Sequence, residues 1–421
     1  MQRIAIDKLE PGMILGEDLT TEEGRMLLPR GAMLTSGHIR TCRVWGIPDA
    51  VIQGEEEEND GYPDSFDQID PEVLDACKIM AAQRFVLNPS THPAVKQMAK
   101  LYVLHQSRGL DADQARWMLT ATPHDDSFAF YGEEEEERVR IRPDEVVKEE
   151  LKLATLPDVV TKIVENIDNP SSSAAYISEI ISRDVALSAK LLKVVNTPFY
   201  GFASKIDTLS RAVTIVGTRQ LTNLALGISV INSFADIPEE FFTLKEFWLH
   251  SITCGIVARL LADEAGLEGG ETFFVGGLLH DIGRLVMLKN HPEASTNVLR
   301  PAKTGRRALV EVERTIWGCT HADIAGKLLQ SWRLPVRLQA MVANHHSPMA
   351  SSTPREAAVI HVADFITHGI GIGSSGCSLV PVLNAEAWMQ LGLPESAIKP
   401  ITRKAERQAH DVMTAFFGQM E

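Results

Sequence analysis

The 421-residue sequence is short of several things, and each shortage narrows what the chain can be. It has only five cysteines (Cys42, Cys77, Cys254, Cys319 and Cys377), far apart and with no C-x-x-C pair. That excludes a disulfide framework and a thiolate zinc knot, and it points to a reduced compartment. Excess basic charge is also missing. The formal net charge of −15 is spread over separate acidic runs, which argues against broad binding to phosphate backbones, so nucleic acid is not an expected partner. No apolar run reaches the roughly 18 residues of a transmembrane helix, so no membrane partner is expected. The opening "MQRIAIDKLEPGM" lacks a basic region followed by an apolar core, so a cytoplasmic location without a secretory leader is expected. A GxGxxG phosphate loop and a P-loop are both absent.

What is present is 44% hydrophobic residues, enough for packed cores in two or three domains. Residues 1–53 read as a small β-rich domain: "RIAIDKL", "GMILGEDL", "GRMLLPRGAML" and "IPDAVIQ" are apolar segments separated by Pro11-Gly12, Glu23-Gly24 and Arg30-Gly31. Residues 54–65 are an acidic linker. Residues 66–120 read as helical, because "PEVLDACKIMAAQRFV" and "PAVKQMAKLYVLHQSRG" each begin with proline at a first-turn position. A second acidic linker spans 121–142 and contains His124-Asp125, a pair in a polar stretch with no apolar helix around it. From 143 to 370 the period is persistently helical, as where Val159, Val160, Ile163, Val164 and Ile167 share one face. Residues 371–421 hold a Gly/Ser loop and two helices that should pack back on this body. The fold class expected is mainly α: a large all-α domain preceded by the small β-rich domain and the helical middle segment.

Eight of the 13 histidines fall between positions 250 and 368. "KEFWLHS" carries Glu246 and His250, four apart and so on one helix face. "GLLHDIG" gives His280 and Asp281, "WGCTHADIAGKLLQSW" gives His321, "MVANHHSP" gives His345 and His346, and "HVADFITH" gives Asp364. Imidazole and carboxylate ligands suit iron, manganese or zinc, and the absence of cysteine disfavours a structural zinc site. An aspartate able to bridge two ions, with histidines holding each, is what a two-metal hydrolase requires. His291, His361 and His368 read as supporting or surface residues, and Asp364 could equally pair with His361. "TIVGTRQLTNLALG" lacks the side chains that read base edges and is better explained as core than as a recognition helix.

The order His, His-Asp, His, His-His, Asp resembles the HD superfamily of metal-dependent phosphohydrolases. Closer still is the resemblance to its HDOD branch, the HD-related output domain of bacterial signalling proteins. It rests on "LATLPDVVTKIVENIDNP", "ISRDVALSAKLLKVVNTPFYGF", "IDTLSRAVTIVGTRQLTNLALG", "FWLHS", "GGLLHDIGRL" and "NHHSP", and covers roughly residues 145–370. Residues 1–53 resemble the small domain preceding some HD-GYP phosphodiesterases. The resemblance implies an all-α HD-like domain and a divalent metal (Fe, Mn or Zn), with room for two ions. Its implied ligands are His250, His280, Asp281, His321, His345, His346 and Asp364, with Glu246 where some HD-GYP enzymes supply an extra one. Asp281 and Arg284 are the candidate catalytic residues; Arg284 could hold a phosphate, or equally pack a helix end or form a salt bridge. Two departures stand out. "HHSPMASSTPREAA" lacks the Gly-Tyr-Pro loop, which argues against cyclic-di-GMP hydrolysis, and Arg284 stands where a lysine is usual. The expected function is a signal-transduction output module acting through protein contacts, with a structural or sensory metal centre. The alternatives are a metal-dependent phosphohydrolase or phosphodiesterase, and a module that binds a nucleotide or phosphoester without turnover.

Overall fold

The computed structural model describes residues 2–9, 13, 15–21, 26–28, 32, 34, 36–52, 63, 65–121, 139–153, 161–162, 165, 174–202, 204–232, 234, 242–304 and 307–418. The three turn dipeptides of the N-terminal region, the pair His124-Asp125, the apolar face at 159–167 and most of both acidic linkers lie outside these residues.

The chain is mainly α. Residues 2–52 form a small unit around their own apolar cluster, which includes Leu15, Leu34, Ile39, Cys42, Ala50 and Ile52. Strand β1 (Gln2–Ala5) pairs antiparallel with β4 (Asp49–Ile52), Gln2 facing Ile52 and Ala5 facing Asp49. β2 (Leu19–Thr20) pairs antiparallel with β3 (Met26–Leu28). Between β3 and β4 the chain forms a helix, α1 (Ser36–Val44), where the sequence reading placed only strands and turns. Its buried residues Ile39 and Cys42 are three apart, a helical spacing too short and too surrounded by polar side chains to stand out.

The larger body is one continuous apolar core that includes both the middle helices and the tail. Middle helix α2 (Pro71–Arg84) is capped by Asp70, whose carboxylate accepts from the Glu72 and Val73 amides. It is followed by α3 (Pro93–Gln106) and α4 (Ala112–Ala121). The central body runs through α5 (Pro143–Leu153), α6 (Ala174–Ser182), α7 (Val185–Val195), α8 (Leu209–Val216) and α9 (Thr218–Asn232). It continues as α10 (Leu244–Glu264), α11 (Gly270–Leu279), α12 (Ile282–Asn290), α13 (Pro292–Thr304) and α14 (Leu309–Ile316). After α15 (His321–Ser331), α16 (Val336–Ala343) and α17 (Pro354–Ile370) come the tail helices α18 (Ala385–Leu391) and α19 (Ile398–Phe417).

Helices α10 and α17 are buried almost all round, as expected of helices at the centre of a body rather than on its rim. Two glycines set how closely their neighbours approach. A Cβ on Gly277 of α11 would lie 2.6 Å from the Cα of Gly255 in α10, so the two backbones cross in contact. A Cβ on Gly283 of α12 would strike the His321 carbonyl at the start of α15. These approaches bring His250, His280, Asp281 and His321 from four elements to one place.

Candidate metal centre

His250, His280, Asp281, His321, His345 and Asp364 are each 4% exposed or less, and His346 is partly exposed beside them. Asp281 stands between two groups. On one side its Oδ2 lies 3.3 Å from His280 Nε2 and 3.8 Å from His250 Nε2. Asp364 Oδ1 completes this group, 3.3 Å from His250 Nε2 and 3.4 Å from His280 Nε2. On the other side Asp281 Oδ1 lies 3.0 Å from His321 Nε2 and 4.0 Å from His345 Nε2. His321 Nε2 is in turn 3.4 Å from His345 Nε2 and 3.0 Å from His346 Nε2.

The outer edges of these rings fix which nitrogen carries the proton. The Nδ1 of His280 faces the Gly277 carbonyl at 2.6 Å, and that of His345 faces the Val342 carbonyl at 2.7 Å. A carbonyl only accepts, so each Nδ1 donates, and in the neutral ring each Nε2 presents its lone pair to the centre. His321 Nδ1 lies 2.7 Å from Glu313 Oε2, a carboxylate–histidine pair of the kind that orients metal ligands. Glu313 also accepts from the His321 backbone amide at 3.0 Å. In their neutral form His280 and His345 therefore set ring acceptors toward the carboxylates. His250 Nε2, His280 Nε2, Asp281 Oδ1 and Asp364 Oδ1 are all buried with no hydrogen-bond partner. Converging buried acceptors of this kind carry a large desolvation cost that a cation would relieve, and nitrogen and carboxylate donors at mutual distances under 4.8 Å fit a divalent transition metal.

Electrostatics prepare the ligands. Burial, together with charge on His280 and His321, pushes His345 down to about 3, and burial does the same to His368. Burial also lowers His250 and His346, so all four are neutral imidazoles near pH 7, the form that binds metal. Burial would raise the Asp281 carboxyl, but Arg284 and His280 hold it well below the usual carboxylate range. The same contest at Asp364 is won by His368, His250 and His280.

Seven of the sequence-predicted ligands thus meet in two adjoining groups. Glu246 does not join them and is corrected: it is exposed, and its carboxylate accepts from the Thr243 amide and hydroxyl in the capping box that starts α10. Asp364 is not paired with His361. The His361 Nδ1 donates to the His345 carbonyl and its Nε2 accepts from the Asn384 amide, which uses both nitrogens. His291 lies against Glu149, 3.4 Å away. The sequence reading did not name Glu313, and it placed His368 only as a supporting or surface residue. His368 is buried with its Nε2 3.4 Å from Asp364 Oδ1, and the Asp364/His368 spacing of four on one helix could have shown it. Glu313 gave no such signal, because a turn through Gly318 separates it from His321.

Arg284 is buried at the centre rather than aimed at solvent. Its Nη1 donates to Asp281 Oδ2 at 2.6 Å and to the Ser375 carbonyl at 3.1 Å, while Nη2 is 3.2 Å from His321 Nε2. Ser375 belongs to a strap, residues 371–378, that crosses α10 where the Ser374 amide donates to the Glu246 carbonyl. No described helix is long and apolar enough to cross a membrane.

Comparison with known proteins places this geometry in context. The HDOD domain family matches residues 153–348. An uncharacterized protein of Treponema pallidum (strain Nichols) is 30% identical over 194 residues, which are 46% of this chain and 37% of that protein. The matched stretch is therefore well under half of that relative's length. Two solved structures share the fold at 20% identity. One, a Shewanella amazonensis SB2B protein proposed to be a phosphohydrolase, has a TM-score of 0.53 over 64% of this chain and 98% of its own. The other, an HDOD domain protein of unknown function from Geobacter sulfurreducens, has a TM-score of 0.52 over 65% of this chain and 97% of its own.

Proposed function

Residues 153–348 are an HDOD domain, and on that premise we propose that the chain is a bacterial signal-transduction output module built around a metal centre that is structural or sensory. It relays its state through protein contacts. The observation that carries this reading is the burial of the centre: six of its seven ligand candidates are 4% exposed or less, and the buried Arg284 donates to Asp281 and is held in turn by the buried Ser375. A phosphoester substrate needs a cleft that admits it and an open coordination position. Among the seven ligand candidates His346 alone is partly exposed. A divalent ion of iron, manganese or zinc type would be held by His250, His280, Asp281 and Asp364, with His368 beside them. When bound at such a site, a divalent ion supplies positive charge that polarises phosphoryl oxygens or ties helices together. This chain's own residues orient the ligands: Gly277, Val342 and Glu313 fix ring tautomers, and α10, α12, α15 and α17 converge there.

One observation favours a second reading, a two-metal phosphohydrolase: the two oxygens of Asp281 face different histidine groups. The test is turnover of a phosphodiester and a phosphomonoester by metal-loaded protein, beside Asp281→Ala. The output reading expects no turnover above that of the variant, together with a melting temperature that falls when metal is stripped. Turnover that disappears in Asp281→Ala would replace it with the hydrolase reading.

A further inference from the structure

Resting on the metal reading above, we propose that Arg284 is the second cation of this centre. Its guanidinium takes the place of one of two ions, so the chain holds a single divalent ion at the His250–His280–Asp364 end.

Three observations lead there. The first is competition for one lone pair. With His321 Nδ1 turned to Glu313, His321 Nε2 is the only ring nitrogen left for a metal. Arg284 Nη2 lies 3.2 Å from that nitrogen, so in the neutral ring its N–H points at the lone pair an ion would need. The other guanidinium nitrogen, Nη1, is already on Asp281 at 2.6 Å. The guanidinium thus addresses His321, which would help hold a second ion, and Asp281 through Oδ2, the oxygen on the His280 side.

The second is anchorage. A long side chain that merely fell into an empty site would have no partner behind it. Nη1 also donates to the carbonyl and the hydroxyl of Ser375, which is fully buried, and Nε lies 4.0 Å from Glu313 Oε1. Ser375 is set by a strap that glycine makes possible. Gly373 has φ +68°, and a Cβ there would collide with the His250 amide and the Glu246 carbonyl. The strap therefore lies directly on the α10 backbone and holds Arg284 in place. At the other end the guanidinium reaches only Asp281 Oδ2, and His250 Nε2, His280 Nε2 and Asp364 Oδ1 have no hydrogen-bond partner.

The third is charge. Among the described residues the buried carboxylates are Asp281, Asp364 and Glu313 and the buried guanidinium is Arg284, so the formal sum is −3 + 1 = −2. One divalent ion brings the centre to neutrality. Two would leave an excess of +2 in a low-dielectric interior, where uncompensated charge is costly.

The experiment uses the full chain, stripped with chelator, reloaded with Mn2+ alone and desalted, then read by elemental analysis and electron paramagnetic resonance. Wild type should retain about one Mn2+ per chain, with the spectrum of an isolated ion. Arg284→Met, which removes the charge and the donors, should rise to about two, with the signature of exchange coupling between neighbouring ions. Arg284→Lys, which keeps a positive charge, should stay at about one. Two coupled ions in the wild type would overturn the proposal, and so would Arg284→Met remaining at one. If Arg284→Met fails to fold, the wild-type count and spectrum still decide. No Mn2+ in the wild type would overturn the metal reading itself, a failure distinct from that of Arg284's role.

Discussion

Glu313 points no atom at the place where an ion would sit, yet it decides which way His321 faces. Its carboxylate holds both the ring Nδ1 and the backbone amide of His321. Glu313→Gln should keep the fold, since the amide still fits, but weaken ring orientation and basicity. Metal affinity should drop about 10- to 100-fold, measured by competition with a chromophoric chelator. The buried histidines make a prediction about acid. His345 and His368 have folded values near 3, below the ordinary imidazole value. Between about pH 6.5 and pH 3 the unfolded chain therefore binds protons there that the native chain does not, and stability falls as pH falls through that window. His280, raised well above its ordinary value because Asp281 overcomes burial, works in the opposite sense. The comparison must therefore be with a variant. Metal-free His345→Gln/His368→Gln should show a flatter loss of urea midpoint across this window than metal-free wild type, and an unchanged slope would refute the assignment.

At this scale the sequence was most informative where apolar helical frames surround each ligand. It misled at Glu246, whose spacing from His250 imitates a ligand pair although Thr243-x-x-Glu246 is a helix-start signature. Glu313 was invisible because its partner lies on a different helix.

Elements explain how a dispersed set of ligands becomes one centre. Helix periodicity made the central body legible, and the first-turn proline Pro71 marked the start of α2, which Asp70 caps. The strap was legible only as a Gly/Ser loop, because its role depends on contact with α10, and that contact is tertiary. Its importance can be isolated by comparing two glycines with nearly the same backbone angle. Gly373 has φ +68° and no room for a Cβ, while Gly392, which ends α18 at φ +67°, has open space around it. Gly392→Ala should cost about 1 kcal/mol, the cost of the left-handed conformation alone. Gly373→Ala should cost about 3 kcal/mol or more, because the clash is with backbone that cannot move aside. It should also reduce metal retention, since displacing the strap releases Ser375 from Arg284. Urea titration of both variants checks the first claim, and elemental analysis checks the second. Equal losses in the two would mean that the strap yields freely.

The whole molecule joins parts that the sequence separates. The middle helices and the tail were read as distinct segments, but the end of α2 and the turn after it clasp both the strap and the segment leading into α18. The Arg84 side chain donates to the His368 carbonyl at 3.0 Å and to the Ser378 carbonyl at 3.0 Å. Asn88 donates to the Val380 carbonyl at 3.0 Å and accepts from the Leu383 amide at 2.9 Å. Contacts nearly 300 positions apart leave no local pattern to read, whereas the apolar faces on both sides did predict that each would pack somewhere. These links place the middle helices, the metal centre and the tail in one core, while the N-terminal unit keeps a cluster of its own. An ion that binds the native form stabilises only the cooperative unit containing its ligands, by about 2.7 kcal/mol at a hundredfold excess over Kd. Calorimetry should therefore resolve a small transition for residues 2–52 that ignores metal and a large one that moves down by several degrees on chelation. The small unit, with few buried apolar residues, should melt first. If instead both transitions shift together, or only one is seen by calorimetry and by Trp45 fluorescence alike, the two clusters are energetically coupled and the N-terminal unit reports on the metal centre.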